Sequence, residues 1–350
     1  MDGLTAPTLE ISRARFLQNL AAVQDRIAPA QLMLAMKDDA YGHGVGWATT
    51  TALDAARPVG FFGGYDVQTS LRIRERAQDA RVFAWADSSD DEIAQALAAN
   101  VELGVGTAEY LHHIIEASSR LGASARIHLK IDTGLHRNGI RPEDWPDVVG
   151  RAMRAQRAGL IDVVGVWSHL AEASDAEDDE SAREFRSAVD VLRAAGGDPE
   201  SLHLTASAAS WWRPELRGTV CRIGAFCYGI RSADGPEIPG ASPIASLRAR
   251  VVDEREDDVV IGLGAFHGLP SVLAGTSVGT PGGVREIVRI DETTAVVRGW
   301  TGARPGDTVT VFGPGEQGES DATALAERIG TVGEEIITRL TSAVRRVIVD

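Results

Sequence analysis

The most informative shortage in this 350-residue chain is lysine. Lys37 and Lys130 are the only two lysines, against 33 arginines. Lysine is normally among the commonest residues, so this protein takes nearly all of its positive charge from arginine. Lysine can lose its proton and act as a nucleophile or base, which arginine cannot readily do. The two positions that keep lysine are therefore candidates for chemistry, although two lysines can also survive by chance.

Cysteine is equally rare, with Cys221 and Cys227 as the only two. Their spacing is neither CxxC nor a zinc-ligand pattern, which predicts reduced thiols in a cytoplasmic protein and no metal site. Residues 1–5 lack the basic start and the apolar run of a signal peptide. No segment reaches the roughly 18 consecutive apolar residues of a membrane span, so we expect no membrane partner.

Basic residues as a class are outnumbered, because 35 Lys and Arg face 50 Asp and Glu and give a net charge of −15. Proteins that bind nucleic acid place basic patches against phosphate, so we expect no nucleic-acid partner. The acidic surface is better explained as an aid to solubility. A hydrophobic fraction of 44% is ordinary for a globular chain, and the length predicts roughly two domains.

Short apolar runs alternate with helical stretches over residues 8–233. This alternation predicts α/β structure and favours a closed (β/α)8 TIM barrel. The alternative is an open doubly wound sheet, but no G-x-G-x-x-G pattern follows the first strand. The eight predicted strands are Leu32–Met36, Gly60–Tyr65, Arg81–Ala86, Glu102–Gly106, Arg126–Ile131, Val163–Ser168, Leu202–Ser207 and Cys221–Gly229.

The composition changes near residue 234, where Asp234–Gly240 has the Gly and Pro content of a linker. Beyond it, β-branched runs are interrupted by Gly and Pro, which predicts a smaller, mainly β domain over residues 241–350. The N-terminal few residues are candidates to pair with this domain. Its predicted strands are Leu247–Val252, Val259–Ile261, Glu286–Arg289, Ala295–Arg298, Thr308–Phe312 and Val344–Val349, with helices at Asp321–Ile329 and Val332–Leu340.

Polar side chains stand at the ends of several barrel strands. Parallel strands bring their C-terminal ends to one face, where the active sites of TIM barrels lie. Singly, these residues have ordinary explanations: His169 as a structural histidine, Ser207 as a helix cap, Arg222 as half of a salt bridge. Together they offer an amine, an imidazole, hydroxyls and a guanidinium to one mouth, which favours a catalytic site. The residues are Lys37, Trp85, Lys130, Asp132, Ser168, His169, Thr205, Ser207, Arg222 and Gly224.

Five blocks around these residues resemble, in order, the motifs of the alanine racemase family, fold-type III enzymes that use pyridoxal 5'-phosphate. Both lysines of the chain fall inside the blocks. The resemblance covers most of the chain and implies a barrel followed by a β domain. The blocks are residues 36–44, with Asp38 where alanine is usual, and residues 128–140, 168–171, 206–209 and 221–229.

The resemblance implies a set of cofactor contacts. Lys37 would form the Schiff base with the cofactor aldehyde and then act as a base on one face of the substrate. Arg222 would face the pyridine nitrogen and, because arginine keeps its proton, would leave that nitrogen unprotonated. The remaining candidates are Tyr41, Ser207 and the amides of Gly224 and Ala225 around the phosphate, and Trp85 and His169 near the ring.

Substrate binding is implied in the same way. Arg137 would bind the substrate carboxylate and would be held by Lys130. In many members of the family this lysine is carbamylated, which would turn a cation into an anion able to pair with arginine. An ordinary salt-bridged lysine is the alternative, and both remain open.

The second catalytic residue of the family is missing. In the family it is a tyrosine of the partner subunit's β domain, within Ser-Tyr-Gly. The four tyrosines here, the last of them Tyr228, all precede the linker, and the segment for that motif is absent between Val252 and Val259. His267 is the only histidine after residue 203 and lies in a Gly-rich loop, so it is a candidate replacement base. Otherwise His267 is a plain loop residue, and another group or water serves that face.

The resemblance therefore implies an isomerase that interconverts the L and D forms of alanine or another small amino acid and acts as a head-to-tail homodimer. The missing tyrosine keeps an alternative open: a divergent cofactor-binding protein of this fold without racemase activity, or with another reaction such as decarboxylation. Against decarboxylation, we find neither the Gly-rich phosphate loop nor the catalytic cysteine motif of that family in the β domain.

Overall fold

The computed structural model describes residues 6–350. They form two compact units, one of residues 23–37 and 45–224, the other of residues 6–22, 38–44 and 225–350. The predicted limits of the domains, 8–233 and 241–350, stay predictions. No helix within residues 6–350 is both long and apolar enough to cross a membrane.

The first strand, β1 (Thr8–Ser12), precedes the barrel and lies in the sheet of the second unit. The barrel is one sheet of eight parallel strands in the order β8-β7-β6-β5-β4-β3-β2-β9, which confirms the predicted fold class. These strands are buried on both faces, as is usual when helices cover a parallel sheet. Their bounds are β2 (Gln31–Ala35), β3 (Phe61–Tyr65), β4 (Arg81–Ala84), β5 (Glu102–Val105), β6 (Ala125–Lys130), β7 (Ile161–Trp167), β8 (Ser201–His203) and β9 (Val220–Ile223).

Helices follow the barrel strands along the chain. Large apolar side chains fill the inside of the barrel, and Met33, Phe61, Phe83, Trp167 and Val220 form one cluster. The helices of the chain are Arg13–Ile27, Val45–Leu53, Val67–Arg74, Asp90–Ala98, Ala108–Leu121, Trp145–Arg157, Asp175–Ala194, Ser207–Trp212, Ala322–Arg328 and Gly333–Thr338, with short 3-10 turns at Pro214–Leu216, Ala225–Tyr228, Ala265–His267 and Ser271–Leu273.

Two predicted barrel strands are too long. The run Leu202–Ser207 ends as a strand at His203, because Ser207 already opens a helix in which the amide of Ser210 donates to the Ala206 carbonyl (2.9 Å). The run Cys221–Gly229 ends as a strand at Ile223 and continues as a 3-10 turn. The amide of Arg222 donates to the Thr205 carbonyl (3.2 Å), which links the last two strands at this edge.

The second unit contains an eight-stranded sheet in the order β11-β14-β13-β12-β15-β10-β1-β16. Its pairs are antiparallel except β1 with β16. This is the mainly β structure that the β-branched runs predicted, and one strand, β12, was missed because Ser277–Thr280 is short and contains glycine. The strands are β10 (Ala245–Glu254), β11 (Asp258–Ile261), β12 (Ser277–Thr280), β13 (Gly283–Ile290), β14 (Ala295–Arg298), β15 (Thr308–Phe312) and β16 (Arg345–Val349).

A left-handed turn follows Lys37. Asp38, Asp39, Ala40 and Tyr41 have φ values of 52°, 54°, 56° and 57°, a conformation that each non-glycine residue adopts at a cost of about 1 kcal/mol or more. The amides of Gly42 and Gly44 donate to the carbonyls of Asp38 and Asp39, each at 2.8 Å. These hydrogen bonds close the turn immediately after the lysine.

Candidate active site

The C-terminal ends of four barrel strands carry ionisable residues that the sequence singled out. β6 ends on Lys130, and β9 carries Arg222. Lys37 follows β2 by two residues and His169 follows β7 by two. Because the strands are parallel, these ends lie at one edge of the barrel, where TIM-barrel active sites form.

Arg222 is the most completely bonded of these residues and is only 7% exposed. Its two terminal nitrogens donate to the carbonyls of His203, Ser168 (2.7 Å) and Leu204 (3.1 Å), and to Nδ1 of His169 (3.1 Å). Its Nε–H has no hydrogen-bond partner within residues 6–350. Burial lowers the pKa of Arg222 to about 10, so the guanidinium stays charged at neutral pH. One N–H of a fixed cation therefore remains for a ligand.

His169 is a neutral imidazole at this edge. Its pKa is lowered to about 3, first by burial and then by the cations of Arg222, Arg137, Lys130 and Lys37. The same interactions show that these four cations lie near one ring. A cluster of positive charges of this kind favours an anionic ligand.

A chain of buried hydrogen bonds runs through the barrel to Arg222. Nε2 of His128 donates to Glu102 (2.7 Å), and Nδ1 of His128 lies 2.8 Å from Nε2 of His203. Nδ1 of His203 is 3.2 Å from a terminal nitrogen of Arg222. Burial lowers the pKa of both histidines, so each is neutral and donates toward the carboxylate. Nδ1 of His203 is then left as an acceptor for Arg222.

Glu102 terminates this chain as an ionised carboxylate. Burial raises its pKa, but the hydrogen bonds from His128 and Arg81 outweigh burial and hold the pKa well below its usual value. Arg81 also binds it at 2.8 Å and Arg126 at 3.1 Å. The carboxylate therefore fixes the tautomer of both imidazoles, which fixes the groups around Arg222.

Lys130 is buried with its Nζ 4.6 Å from the centre of the Trp167 ring. Burial, and then repulsion by Arg137 and Arg222, lower its pKa to about 8. A substantial fraction of this amine is therefore neutral near physiological pH, which makes it more reactive than an ordinary lysine.

Arg137 lies in the loop between β6 and the helix Trp145–Arg157. It is exposed, and its guanidinium makes no hydrogen bond within residues 6–350. Two backbone hydrogen bonds close the base of the loop. The Asp132 amide donates to the Ile140 carbonyl (2.9 Å), and the Ile140 amide donates to the Lys130 carbonyl (2.8 Å). Arg137 is therefore a charge on an anchored loop beside Lys130.

Ser207 and Gly224 meet at the same edge, where the Gly224 amide donates to the Ser207 hydroxyl (3.3 Å). Ser207 opens the helix Ser207–Trp212, so the amides of Ser207 and Ala208 have no partner inside it, whereas the Ala209 amide donates to the Glu172 carboxylate (3.2 Å). Trp85 follows β4 and covers Gly63, where a Cβ would lie 2.8 Å from the indole. Amides, a hydroxyl and an indole thus complete this edge.

Three predicted site residues belong to the second unit: Tyr41, Ala225 and His267. Tyr41 is buried with its ring 5.0 Å from that of Tyr228, and burial raises the pKa of its hydroxyl far above the usual value. Ala225 opens the 3-10 turn Ala225–Tyr228. His267 ends another such turn, and its Nδ1 accepts the Gly264 amide (3.0 Å).

Most of the chain matches one family of proteins. Residues 11–232 match the family model of the alanine racemase N-terminal domain, and residues 248–348 match that of the C-terminal domain. The chain is 32% identical to the alanine racemase of Thermobifida fusca over 355 residues, which cover 94% of each chain. It belongs to the alanine racemase family.

Other comparisons with alanine racemases agree. That of Beutenbergia cavernae is 33% identical over 360 residues, again 94% of each chain. The solved structure of the alanine racemase from Streptomyces coelicolor superposes with a TM-score of 0.92 at 29% identity, covering 99% of both chains. The resemblance drawn from the sequence motifs is confirmed.

Enzymes of the alanine racemase family use pyridoxal 5'-phosphate. The barrel edge fits that cofactor, because it offers an amine at Lys37, a hydroxyl and helix amides at Ser207, and one unpaired N–H on Arg222. The hydroxyl and amides at Ser207 are donors for the phosphate of the cofactor, and the Lys37 amine can react with its aldehyde. The nitrogen of the pyridine ring can accept a hydrogen bond from the Arg222 guanidinium. Within residues 6–350, no cluster of His, Cys, Asp or Glu suits a metal ion.

Sequence reasoning missed the polar residues beneath this edge. His128 stands two positions before Lys130 in β6 and so shares its face of the sheet, a signal that was available. Glu102 and His203 gave no such signal, because neither shares a strand with a predicted site residue. Glu102 is the first residue of β5, and His203 is the last residue of β8. The pairing of His136 with Asp132, at 2.9 Å, also came only from the structure.

Proposed function

We propose that this protein is a pyridoxal-phosphate-dependent racemase of alanine or another small amino acid. The observation that carries the proposal is the edge of the barrel, where Arg222 donates to the neutral His169 (3.1 Å) and the charges of Lys37 and Lys130 act on the same ring. Full-length similarity to proteins named alanine racemase supports it and does not favour the alternative of a protein without racemase activity or with another reaction.

The roles of the residues follow from their chemistry. When bound, pyridoxal phosphate supplies an electron-accepting ring that makes the α-C–H bond of an amino acid acidic. Lys37 removes or returns the α-proton on one face. Arg222 keeps its own proton and donates from Nε, and the donors at Ser207 hold a phosphate. Tyr41, Trp85, His169, Gly224 and Ala225 remain proposed cofactor contacts.

Arg137 is proposed to bind the substrate carboxylate through charge-assisted hydrogen bonds. Lys130, with its pKa near 8, is a proposed site of carbamylation, since carbon dioxide reacts with the neutral amine. The product would be an anion beside Arg137. Labelled bicarbonate and carbon NMR test this assignment, and an unlabelled Lys130 would remove it.

We further propose that the protein is a cytoplasmic head-to-tail homodimer, as the resemblance implies. Sedimentation at micromolar concentration measures the oligomeric state. A monomer that racemises an amino acid at full rate would contradict the dimer and leave the proposed reaction intact.

The reaction is tested with L-alanine and other amino acids in D2O. We expect deuterium at the α-carbon with loss of configuration, and a visible absorbance band from the bound cofactor. Lys37→Ala should abolish both band and turnover because the amine is lost. His112→Gln, a change at an exposed histidine on the helix Ala108–Leu121, is the control and should alter neither. An unchanged band in Lys37→Ala would mean that another lysine holds the cofactor.

A further inference from the structure

Inversion of an α-carbon requires a proton on the face opposite Lys37, and the chain has no tyrosine after Tyr228 to supply it. His267 is poorly suited to the task. Because its Nδ1 accepts the Gly264 amide, the neutral ring carries its proton on Nε2 and has no lone pair there. Burial also lowers the pKa of His267, which disfavours the charged form.

His136 has the opposite arrangement. Its Nδ1 lies 2.9 Å from Oδ2 of Asp132, and its side chain is 82% exposed. Burial raises the pKa of Asp132, but the amides of His136 and Gly134 and the imidazole itself lower it more, so the carboxylate is ionised. An ionised carboxylate can only accept, so Nδ1 of His136 carries the proton and Nε2 presents a lone pair outward.

The loop between Lys130 and Ile140 holds this pair in place. Oδ1 of Asp132 accepts hydrogen bonds from the amides of Gly134 and His136, each at 3.1 Å. One carboxylate therefore holds both the backbone of the loop and the imidazole of His136. His136 has a φ of 54°, which is unfavourable for a non-glycine residue and needs such bonds to persist. A Cβ at Gly139 would lie 2.7 Å from the Asp132 amide, so the return of the loop requires glycine.

Contacts with neighbouring strands anchor the loop at the catalytic edge. The hydroxyls of Thr133 and Ser168 are 2.8 Å apart, and Ser168 directly precedes His169. Asn138 covers Gly106 after β5, where a Cβ would clash with its side chain. Asp132 also acts electrostatically on Lys130. The Asp132–His136 pair therefore lies in the anchored loop that follows Lys130, the same loop that carries Arg137.

We propose that His136, oriented by Asp132, is the acid/base for the second face of the substrate. This inference rests on the proposed racemase function. Nε2 takes the α-proton from one face as the C–H bond breaks, and the electron pair stays on the substrate. The ammonium of Lys37 then gives its proton to the α-carbon on the other face. In the reverse direction, the Lys37 amine removes the proton and the His136 imidazolium returns one.

The test compares His136→Gln with His267→Gln in D2O, and His112→Gln is again the control. We expect His136→Gln to slow inversion by about 100-fold or more, while deuterium exchange with retention continues through Lys37 for one enantiomer. His267→Gln and His112→Gln should invert at the wild-type rate. A His136→Gln protein that inverts normally, or that binds cofactor yet loses exchange on both faces, overturns the inference.

A second measurement needs no turnover. Nitrogen NMR of the cofactor-free protein reports which ring nitrogen of His136 carries the proton. We expect the Nδ1–H tautomer of His136 in the wild type and the loss of this tautomer in Asp132→Asn. If His136→Gln does not fold, Asp132→Asn takes its place in the inversion assay. A wild-type His136 protonated on Nε2 overturns the inference. A wild type that exchanges no amino acid at all removes the proposed function instead.

Discussion

At the scale of single residues, the buried carboxylate of Glu102 decides the hydrogen bonding of several groups. It is 2% exposed and binds His128, Arg81 and Arg126 at once. An unpaired buried charge is costly, so removing one partner of such a set destabilises more than the pair itself contributes. Glu102 is therefore a structural residue whose effect reaches Arg222 through two imidazoles.

We expect Glu102→Gln to lower the free energy of unfolding by about 3 kcal/mol, because the amide presents a donor to groups that are themselves donors. Urea unfolding at pH 7.5 measures this. Glu200→Gln is the matched control, since Glu200 binds the same two arginines but is 58% exposed, and it should cost at most about 1 kcal/mol. Equal stability of the two variants would contradict the role of the buried carboxylate.

At the scale of elements, the left-handed turn after Lys37 is the most unusual piece of backbone. Four successive non-glycine residues with positive φ are held by hydrogen bonds to Gly42 and Gly44. Nδ1 of His43 adds a contact to the Ala40 carbonyl at 2.9 Å. The conformation of this turn sets the direction in which the chain continues after Lys37.

The turn predicts an asymmetry between two substitutions at the exposed Asp39. Both changes remove the carboxylate, but asparagine tolerates positive φ and a β-branched residue does not. The free energy of unfolding of Asp39→Val should therefore lie about 1–2 kcal/mol below that of Asp39→Asn. Thermal unfolding of both proteins measures the difference. Identical midpoints would show that position 39 is not held in the left-handed region.

At the scale of the whole molecule, four histidines are kept neutral by burial. The pKa of His43 is lowered to about 4 and that of His169 to about 3, and burial also lowers those of His128 and His203. In the unfolded chain a histidine titrates near 6.5. Between these values the unfolded state binds more protons, so the stability is complete above about pH 6.5 and falls as the pH drops.

We expect the cofactor-free protein to lose about 1 kcal/mol of unfolding free energy per buried imidazole between pH 7.5 and 5.5. Glu172 and Asp178, whose pKa values burial raises, act in the opposite direction at lower pH, so the comparison stops at 5.5. His43→Gln should reduce this pH dependence, whereas His112→Gln should not. Urea unfolding at the two pH values measures the change in the free energy of unfolding. A free energy that does not change with pH would contradict the expectation.

Much of the fold could be predicted from the sequence, because it follows from periodicity. Buried parallel strands are continuous apolar runs, and the helix Asp90–Ala98 follows its capping residue Ser89. The predicted strand ends then indicated Lys37, Lys130, His169 and Arg222 as site residues from the sequence alone. Strand length failed where local sequence is ambiguous, as at Ser207, which suits a strand end and a helix start equally.

The set of reactive groups follows from the sequence: two lysines, an arginine in the last predicted barrel strand, and no tyrosine after Tyr228. Their protonation states and the directions of their hydrogen bonds depend on the folded chain. A tautomer depends on which neighbour accepts a hydrogen bond, and the neighbours of His203 and Arg222 come from other strands. The same holds for His136, four residues from Asp132, because nothing in the spacing reveals that the loop turns the ring back onto the carboxylate.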